Sequence, residues 1–332
     1  MKKVVVFGGG GYCGSVLVPQ LVNEGWDVTA FDIFWYGTEH LPKSPNLRLV
    51  QGDIRDTAKV TEALSGQQYV LHLSCISNDA SFELDEKLST SVNLDSFEPL
   101  VIAAKKAGVK RFVFASSSSV YGVSDKPDVT EDHPLVPLTL YNKYKGMCEP
   151  LLLKHTDKDF VGVIFRPATV CGYAPRQRLD LSVNILTNHA VNKGKITVFG
   201  GDQLRPNLHV QDYADLCKLL LTAPDAKIAD QIFNCGFQNM SIMDIAKTVK
   251  KVVEELFPEK GAIPIEVTKS DDPRSYHINS DKIKRVLGFQ PKHSIEEAVR
   301  DLCKAFREGK LPNSFDDNKY FNVRTMKAIG AK

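Results

Sequence analysis

The chain opens with an apolar run, Lys3 to Phe7, that is β-branched and too short for a helix, so it reads as a buried strand. Apolar positions at helical spacing follow over 15–23, and a second short apolar run covers 28–31. The alternation continues with strands over 47–50, 69–73, 111–115 and 161–165. Helices are predicted between them over 57–64, over 88–107 and from Tyr141 onward. Strands with no polar face are covered on both sides, and strand–helix alternation joins them in one parallel sheet. The predicted fold is therefore α/β, a Rossmann-type doubly wound parallel sheet. After Arg166 and Pro167 the rhythm breaks. Helices are expected over 181–191, 213–221, 242–256 and 295–306, with short strands over 196–199 and 231–234. This divides the chain into a larger domain over 1–166, to which 208–235 returns, and a smaller α/β lobe at the C-terminal side made of 167–207 and 236–332.

Composition narrows the function classes. The chain has 332 residues, is 43% hydrophobic and 25% charged, and carries a formal net charge of +2. That balance is ordinary for a globular chain and gives no field that would favour nucleic acid or an anionic membrane. An anionic ligand must then be met by local groups. The apolar run near Met1 is too short for a secretory leader and is cut at once by glycines. No stretch approaches the ~20 apolar residues needed to cross a bilayer. Seven scattered cysteines with no C-x-x-C pair suggest reduced thiols in a cytoplasmic protein, with neither a disulfide framework nor a metal site.

Chemistry enters at Gly8, Gly11 and Gly14, spaced G-x-x-G-x-x-G between the first strand and the first helix. Such glycines let the backbone turn tightly and approach a pyrophosphate, which the helix N-terminus then attracts. Tyr12 and Cys13 lie in the same turn. Asp32 ends the second strand, where a carboxylate can accept the ribose hydroxyls of a dinucleotide or simply cap a turn. No Arg or Lys stands in 33–36, so a 2′-phosphate would meet an unshielded charge, and NAD is expected rather than NADP. Asp53 and Ile54, after the third strand, are expected at the adenine or in a surface turn. Tyr141 and Lys145 are four residues apart, on one helix face, and follow the hydroxyl-rich end of the fifth strand, Ser116 to Ser119. Oxidising an alcohol needs a base for its proton. A tyrosine with an ordinary pKa of ~10 can serve if a neighbouring ammonium and an oxidised nicotinamide lower it. Tyr141 is then the base, Lys145 its tuner and ribose anchor, and Ser117 the hydroxyl that orients substrate.

These pieces, together with Leu71-His72-Leu73, Asn93, Val120-Tyr121-Gly122, Arg166-Pro167, Arg205-x-x-Leu208-His209-Val210-x-Asp212 and Arg274, span nearly the whole chain. The chain resembles the extended short-chain dehydrogenase/reductase family, in its nucleotide-sugar epimerase/dehydratase branch. The resemblance implies a nucleotide-diphosphate-sugar substrate and further cofactor contacts from Leu73, Ser74, Asn93, Ser116 and Pro167. It also implies a homodimer through the helices containing Asn93 and Tyr141. Arg205 and Arg274 become diphosphate ligands, or surface ion pairs. Asn78, Ser119 and Asn184 are expected to face the substrate. Dehydratases of the family carry Asp-Glu after the catalytic residue and decarboxylases a Glu at the position of Ser119, where this chain has Ser118 and Ser119. Chemistry that needs only hydride transfer remains: 4-epimerisation first, then 4-oxidation or ketone reduction with product release.

Arg176-x-Arg178-Leu179-Asp180-Leu181 is similar to heptose- and hexose-nucleotide 4-dehydrogenases, and the arginine pair suits a diphosphate or carboxylate of the substrate, unless it is a solvated turn. His189 could assist a second epimerisation, or be structural. Cys75 is substrate-facing without an assigned role. A non-catalytic NAD sensor and a reductase of small carbonyl compounds are the competing classes. The intact Tyr141/Lys145 pair opposes the first, and Arg205 with Arg274 opposes the second.

Overall fold

The computed structural model describes residues 1–269 and 274–331. Its strands are β1 (Lys3–Phe7), β2 (Asp27–Asp32), β3 (Leu47–Gln51), β4 (Tyr69–His72), β5 (Arg111–Ala115) and β6 (Val161–Pro167). They continue with β7 (Thr169–Cys171), β8 (Ile196–Phe199), β9 (Leu204–His209), β10 (Gln231–Cys235), β11 (Gln238–Ser241) and β12 (Ile265–Thr268). The helices are α1 (Gly14–Asn23), α2 (Thr57–Leu64), α3 (Asp79–Phe82), α4 (Glu86–Thr90), α5 (Phe97–Lys106), α6 (Leu140–Leu153) and α7 (Ser182–Lys193). After them come α8 (Val210–Thr222), α9 (Asp225–Ile228), α10 (Ile242–Leu256), α11 (Asp281–Leu287), α12 (Ile295–Arg307) and α13 (Asn322–Ile329).

Seven strands form one parallel sheet in the order β10-β6-β5-β4-β1-β2-β3. The uninterrupted apolar runs explain it: every residue of β5 is buried, and so are four of the five in β1. Leu17 and Leu21 of α1 pack with Leu216 and Leu220 of α8 on one face. Leu64 of α2, Leu100 of α5 and Leu152 of α6 fill the other. The chain runs outward from β1 through β2 to β3, then restarts at β4 on the far side of β1. That reversal opens a crevice at the carboxyl ends of the strands, where ligands bind in such sheets. A separate core among α7, α10 and α12, with Val183, Val249 and Val299 at zero exposure, supports the smaller lobe. Beside it lie a sheet of order β11-β9-β7 and the pair β12-β8.

The helix expected over 88–107 is broken. α4 ends at Thr90, a π-helical turn covers Ser91–Asp95, and α5 begins at Phe97. The wider turn carries Asn93, whose amide bonds both the N–H and the carbonyl of Ile76 at 2.8 and 2.9 Å.

His72 ends β4 inside an aromatic cage of Phe97, Phe112 and Phe114, the last stacked on it at 5.7 Å. Its Nδ1 has no partner among the described residues, and burial, then the nearby charge of Lys145, push its pKa down to about 3. Between that value and the ordinary 6.5, the unfolded chain takes up a proton that the folded one refuses, so stability falls as pH drops through this window. From pH 7 to pH 5 the expected loss is about 2 kcal/mol. His72→Leu should flatten the acid slope by that amount in urea unfolding at the two pH values; an unchanged slope would assign the acid sensitivity elsewhere.

Candidate active site

A cavity of about 780 Å³ opens at the crevice, within the range of small-molecule sites. Gly8, Gly11, Tyr12, Cys13 and Gly14 form its floor. Gly8 has φ +85°, and a Cβ on it would lie 2.7 Å from the Ser74 nitrogen. A Cβ on Gly14 would meet the Gly9 and Gly8 carbonyl oxygens at 2.4 and 2.6 Å. The turn therefore folds tightly on itself beside Leu73 and Ser74, which also line the cavity. No side chain caps the start of α1; the Ser15 and Val16 N–H groups bond the Gly11 and Cys13 carbonyls at 2.9 and 3.2 Å, and the positive end of the helix dipole still favours an anion there. Tyr12 lines the cavity while its hydroxyl donates to the Gly172 carbonyl at 2.6 Å, joining the two lobes.

Asp32 lies at the rim of the same floor. Its carboxylate accepts from the Gly10 and Phe34 N–H groups at 3.0 and 2.9 Å, and burial is the main cause of its raised pKa. Asp53 also lines the cavity, where Arg55 grips its carboxylate at 2.6 Å and holds its pKa down; Ile54 stands beside it.

The two arginines expected to act as a substrate pair diverge. Arg176 lies against the Tyr36 ring, 3.5 Å from its centroid, and bonds Asn322 at 2.7 Å. Its charge acts on Asp32, and its Nε and Nη1 are buried in the cavity wall without partners among the described residues. Arg178 turns the other way. It pairs with Asp180 at 2.9 Å, reaches Ser77 at 3.3 Å and keeps an Nη2 with no partner among the described residues. Asn322, at the start of α13, ties the pair together through Arg176, Ser77, the Tyr36 hydroxyl and the Asp180 carboxylate. Nothing in the local sequence marks Tyr36 or Asn322 as part of the wall.

At the end of β5, Ser116, Ser117 and Ser119 meet α6. Ser117 Oγ lies 2.7 Å from Ser119 Oγ, and Ser119 donates to Asn142 Oδ1. Tyr141, Asn142 and Lys145 line the same wall. The Lys145 ammonium donates to the Ala115 carbonyl at 2.8 Å and lies over Phe114. The Tyr141 phenol is pushed above its ordinary pKa by burial first, then by Cys75 and Asp79. Arg178 is the cation among the leading influences that draws it down, while the Lys145 ammonium bonds the strand carbonyl.

The remaining candidates sort by what already occupies them. Pro167, Cys75 and Asn78 line the cavity, although the Asn78 side chain accepts from Ser81 at 2.8 Å at the start of α3. Arg205 lies over the Tyr276 ring and Arg274 pairs with Asp79, whose other oxygen accepts from Thr139 at 2.6 Å; both arginines face the cavity. His189 lines it beside Phe315, its pKa lowered by burial and then Lys193. Two candidates do not reach the cavity. Asn93 is held under the wall by Ile76. Asn184, at zero exposure and off the cavity wall, accepts from the Gly172 N–H and spends both amide hydrogens on the Arg178 carbonyl and the Tyr12 hydroxyl.

Three comparisons bear on this geometry. The model of the NAD dependent epimerase/dehydratase family matches residues 4–236. A UDP-glucose 4-epimerase of Lactobacillus helveticus is 30% identical, over 95% of this chain and 99% of its own. A dTDP-glucose 4,6-dehydratase of Streptomyces griseus is 27% identical, over 87% of this chain and 89% of its own. Among solved structures, MoeE5 in complex with UDP-glucuronic acid and NAD superposes with a TM-score of 0.78 at 27% identity, covering 92% of this chain and 99% of that one. The chain therefore belongs to the NAD-dependent epimerase/dehydratase family, the extended short-chain dehydrogenase/reductase branch that its motifs resemble, and is an enzyme with NAD as its cofactor.

Proposed function

We propose that the enzyme is a nucleotide-sugar 4-epimerase: it oxidises the C4 hydroxyl of the hexose and reduces the resulting ketone from the other side. The observation that carries this reading is the company Tyr141 keeps. Ser117, Ser119 and Asn142 share its wall, with Ser118 buried behind them, and no acid–base pair occupies 118 and 119. Such neighbours suit hydride transfer, whereas eliminating water needs both an acid and a base. Asp79, the carboxylate whose charge reaches Tyr141, is paired with Arg274 and Thr139.

The glycine turn, the uncapped start of α1 and the Arg176 nitrogens without partners among the described residues fit a dinucleotide diphosphate. Bound NAD would supply the hydride acceptor and, on the return step, the donor. Tyr141 Oη takes the proton from the C4 hydroxyl, and Ser117 Oγ hydrogen-bonds the same oxygen. Arg178, Arg205 and Arg274 supply the cationic wall that a nucleotide diphosphate requires. A homodimer through the segment of Asn93 and α6, and a cytoplasmic location, belong to the same proposal. No described helix is long and apolar enough to cross a membrane.

Incubating the protein with NAD and UDP-, dTDP-, GDP- and CDP-hexoses, followed by proton NMR, tests the reading. A C4 epimer formed without net NADH supports it. Stoichiometric NADH with a released keto-sugar would make the enzyme a 4-dehydrogenase, and no conversion of any sugar would favour an NAD sensor.

Arg176 belongs to the cofactor end in this reading, not to the sugar. Arg176→Met keeps the stem on Tyr36 and removes the fork. The expected result is at least a tenfold weaker Kd for NAD by calorimetry, since a hydrogen bond to a charged group contributes about 1.5–3 kcal/mol. A selective rise in sugar KM with unchanged NAD affinity would return Arg176 to the substrate.

A further inference from the structure

We propose that Asn142 sets the direction of the hydrogen bonds that end at Ser117, so that one hydroxyl accepts from the sugar alcohol and donates to the ketone. This rests on the hydride-transfer reading above. The chain of contacts is short and sheltered. Asn142 is 4% exposed, its side chain meets Ser119 Oγ, and Ser119 Oγ lies 2.7 Å from Ser117 Oγ. Ser117 Oγ also accepts from the Ser119 N–H at 3.2 Å, which closes the turn over 118–121.

The number of protons fixes what Ser117 can do. With Asn142 Oδ1 toward Ser119, the Ser119 proton goes to the amide and the Ser117 proton goes to Ser119. Ser117 then shows the cavity only a lone pair, which suits an incoming alcohol. A half-turn of the amide brings Nδ2–H to Ser119 and reverses both hydroxyls. Ser117 now accepts from the Ser119 N–H and the Ser119 hydroxyl together, and its own proton points only into the cavity. That arrangement suits a ketone or the negative oxygen formed on the way to it. The alcohol has a single proton: as the chain reverses, that proton swings from Ser117 to Tyr141, which takes it, while Ser117 donates to the oxygen it leaves, so no net proton moves along the chain. An amide offers both a donor and an acceptor without a charge, whereas a carboxylate offers acceptors alone.

Asn142→Asp should lock Ser117 as an acceptor. In conversion of UDP-galactose to UDP-glucose, the expected result is a kcat lower by about 100-fold, the loss typical of one donor to a developing oxyanion, with KM within about threefold. Adding Ser119→Ala releases the Ser117 proton, so the double variant should regain at least about tenfold in kcat over Asn142→Asp. A carboxylate acting only by its charge on Tyr141, or by disturbing the fold, would leave the double variant as slow as the single one, and that outcome overturns the relay. So does an Asn142→Asp enzyme at parental speed. If the parent converts no UDP-hexose, the reading above fails, and neutron diffraction from the NAD-loaded protein judges the relay by itself. Deuterium filling both gaps in one direction along Asn142, Ser119 and Ser117 upholds it; a Ser119 deuteron aimed at neither neighbour overturns it.

Discussion

Tyr141→Phe is expected to lower turnover by about 10²–10⁴-fold while NAD still binds with nearly parental affinity. The substitution removes one oxygen and keeps the ring, so the wall of the cavity keeps its shape. What disappears is the group that takes the hydroxyl proton, and general-base catalysis of this kind is worth about 10²–10⁴-fold. The phenol is held above its ordinary pKa by burial, with Arg178 pulling against it. The reactive phenolate is then a minority form near neutrality, and parental kcat should climb with pH through the alkaline range. The residual rate of the phenylalanine variant should be flat over the same range, because its side chain has nothing to titrate. Both are read from the pH profile of sugar conversion, with NAD affinity measured in parallel. Full turnover by Tyr141→Phe would move the base to another residue and remove the reason for assigning Ser117 and Asn142 their parts.

The central sheet was legible because its strands are apolar on both faces, which only a parallel sheet under two helix layers can satisfy. The glycine turn, Asp32 and the serine-rich strand end were legible for a related reason: each sits at a fixed place relative to a strand. What the sequence did not show was long-range. Arg176 and Arg178 are two residues apart in an irregular loop, so their side chains leave in different directions, and α13, nearly 150 residues further on, decides where each points. Asn184 resembles a ligand contact because it is polar and near a helix start, yet the loop over 172–178 folds back onto its oxygen and one amide hydrogen, and Tyr12 takes the other. The π-helical turn at Ser91–Asp95 shares its apolar spacing with an ordinary helix, and the bonds of Asn93 to Ile76 accompany the wider winding. β9 and β11, with sequences L-R-P-N-L-H and Q-N-M-S, show neither alternation nor an apolar run, and pair only because the fold brings them together.

Glu149→Ala is expected to destabilise the protein by about 3–5 kcal/mol, the cost of leaving a buried charge without its partner. Glu149 on α6 and Arg166 on β6 form a two-pronged pair, with Nε to Oε1 at 2.9 Å and Nη2 to Oε2 at 2.6 Å, and each side chain is only 4% exposed. Ser116 donates to the same carboxylate at 2.6 Å, while Arg166 also donates to the Tyr121 hydroxyl, which in turn donates to Asn234 on β10. The network therefore clamps the ends of β5, β6 and β10 directly beneath Ser117. Alanine leaves two arms of the buried guanidinium without their acceptor, and frees the Ser116 hydroxyl as well. Replacing both partners, as Glu149→Leu with Arg166→Met, should recover most of the loss, because a matched apolar pair carries no desolvation cost. The double variant should nevertheless turn over more slowly than the parent, since Ser116 has lost the acceptor that fixes the strand end next to Ser117. Denaturant unfolding of the three proteins, with kcat measured on each, separates the two effects. If Glu149→Ala falls within about 1 kcal/mol of the parent, the pair is not the clamp, and the position of Ser117 must be set by the β5 ladder alone.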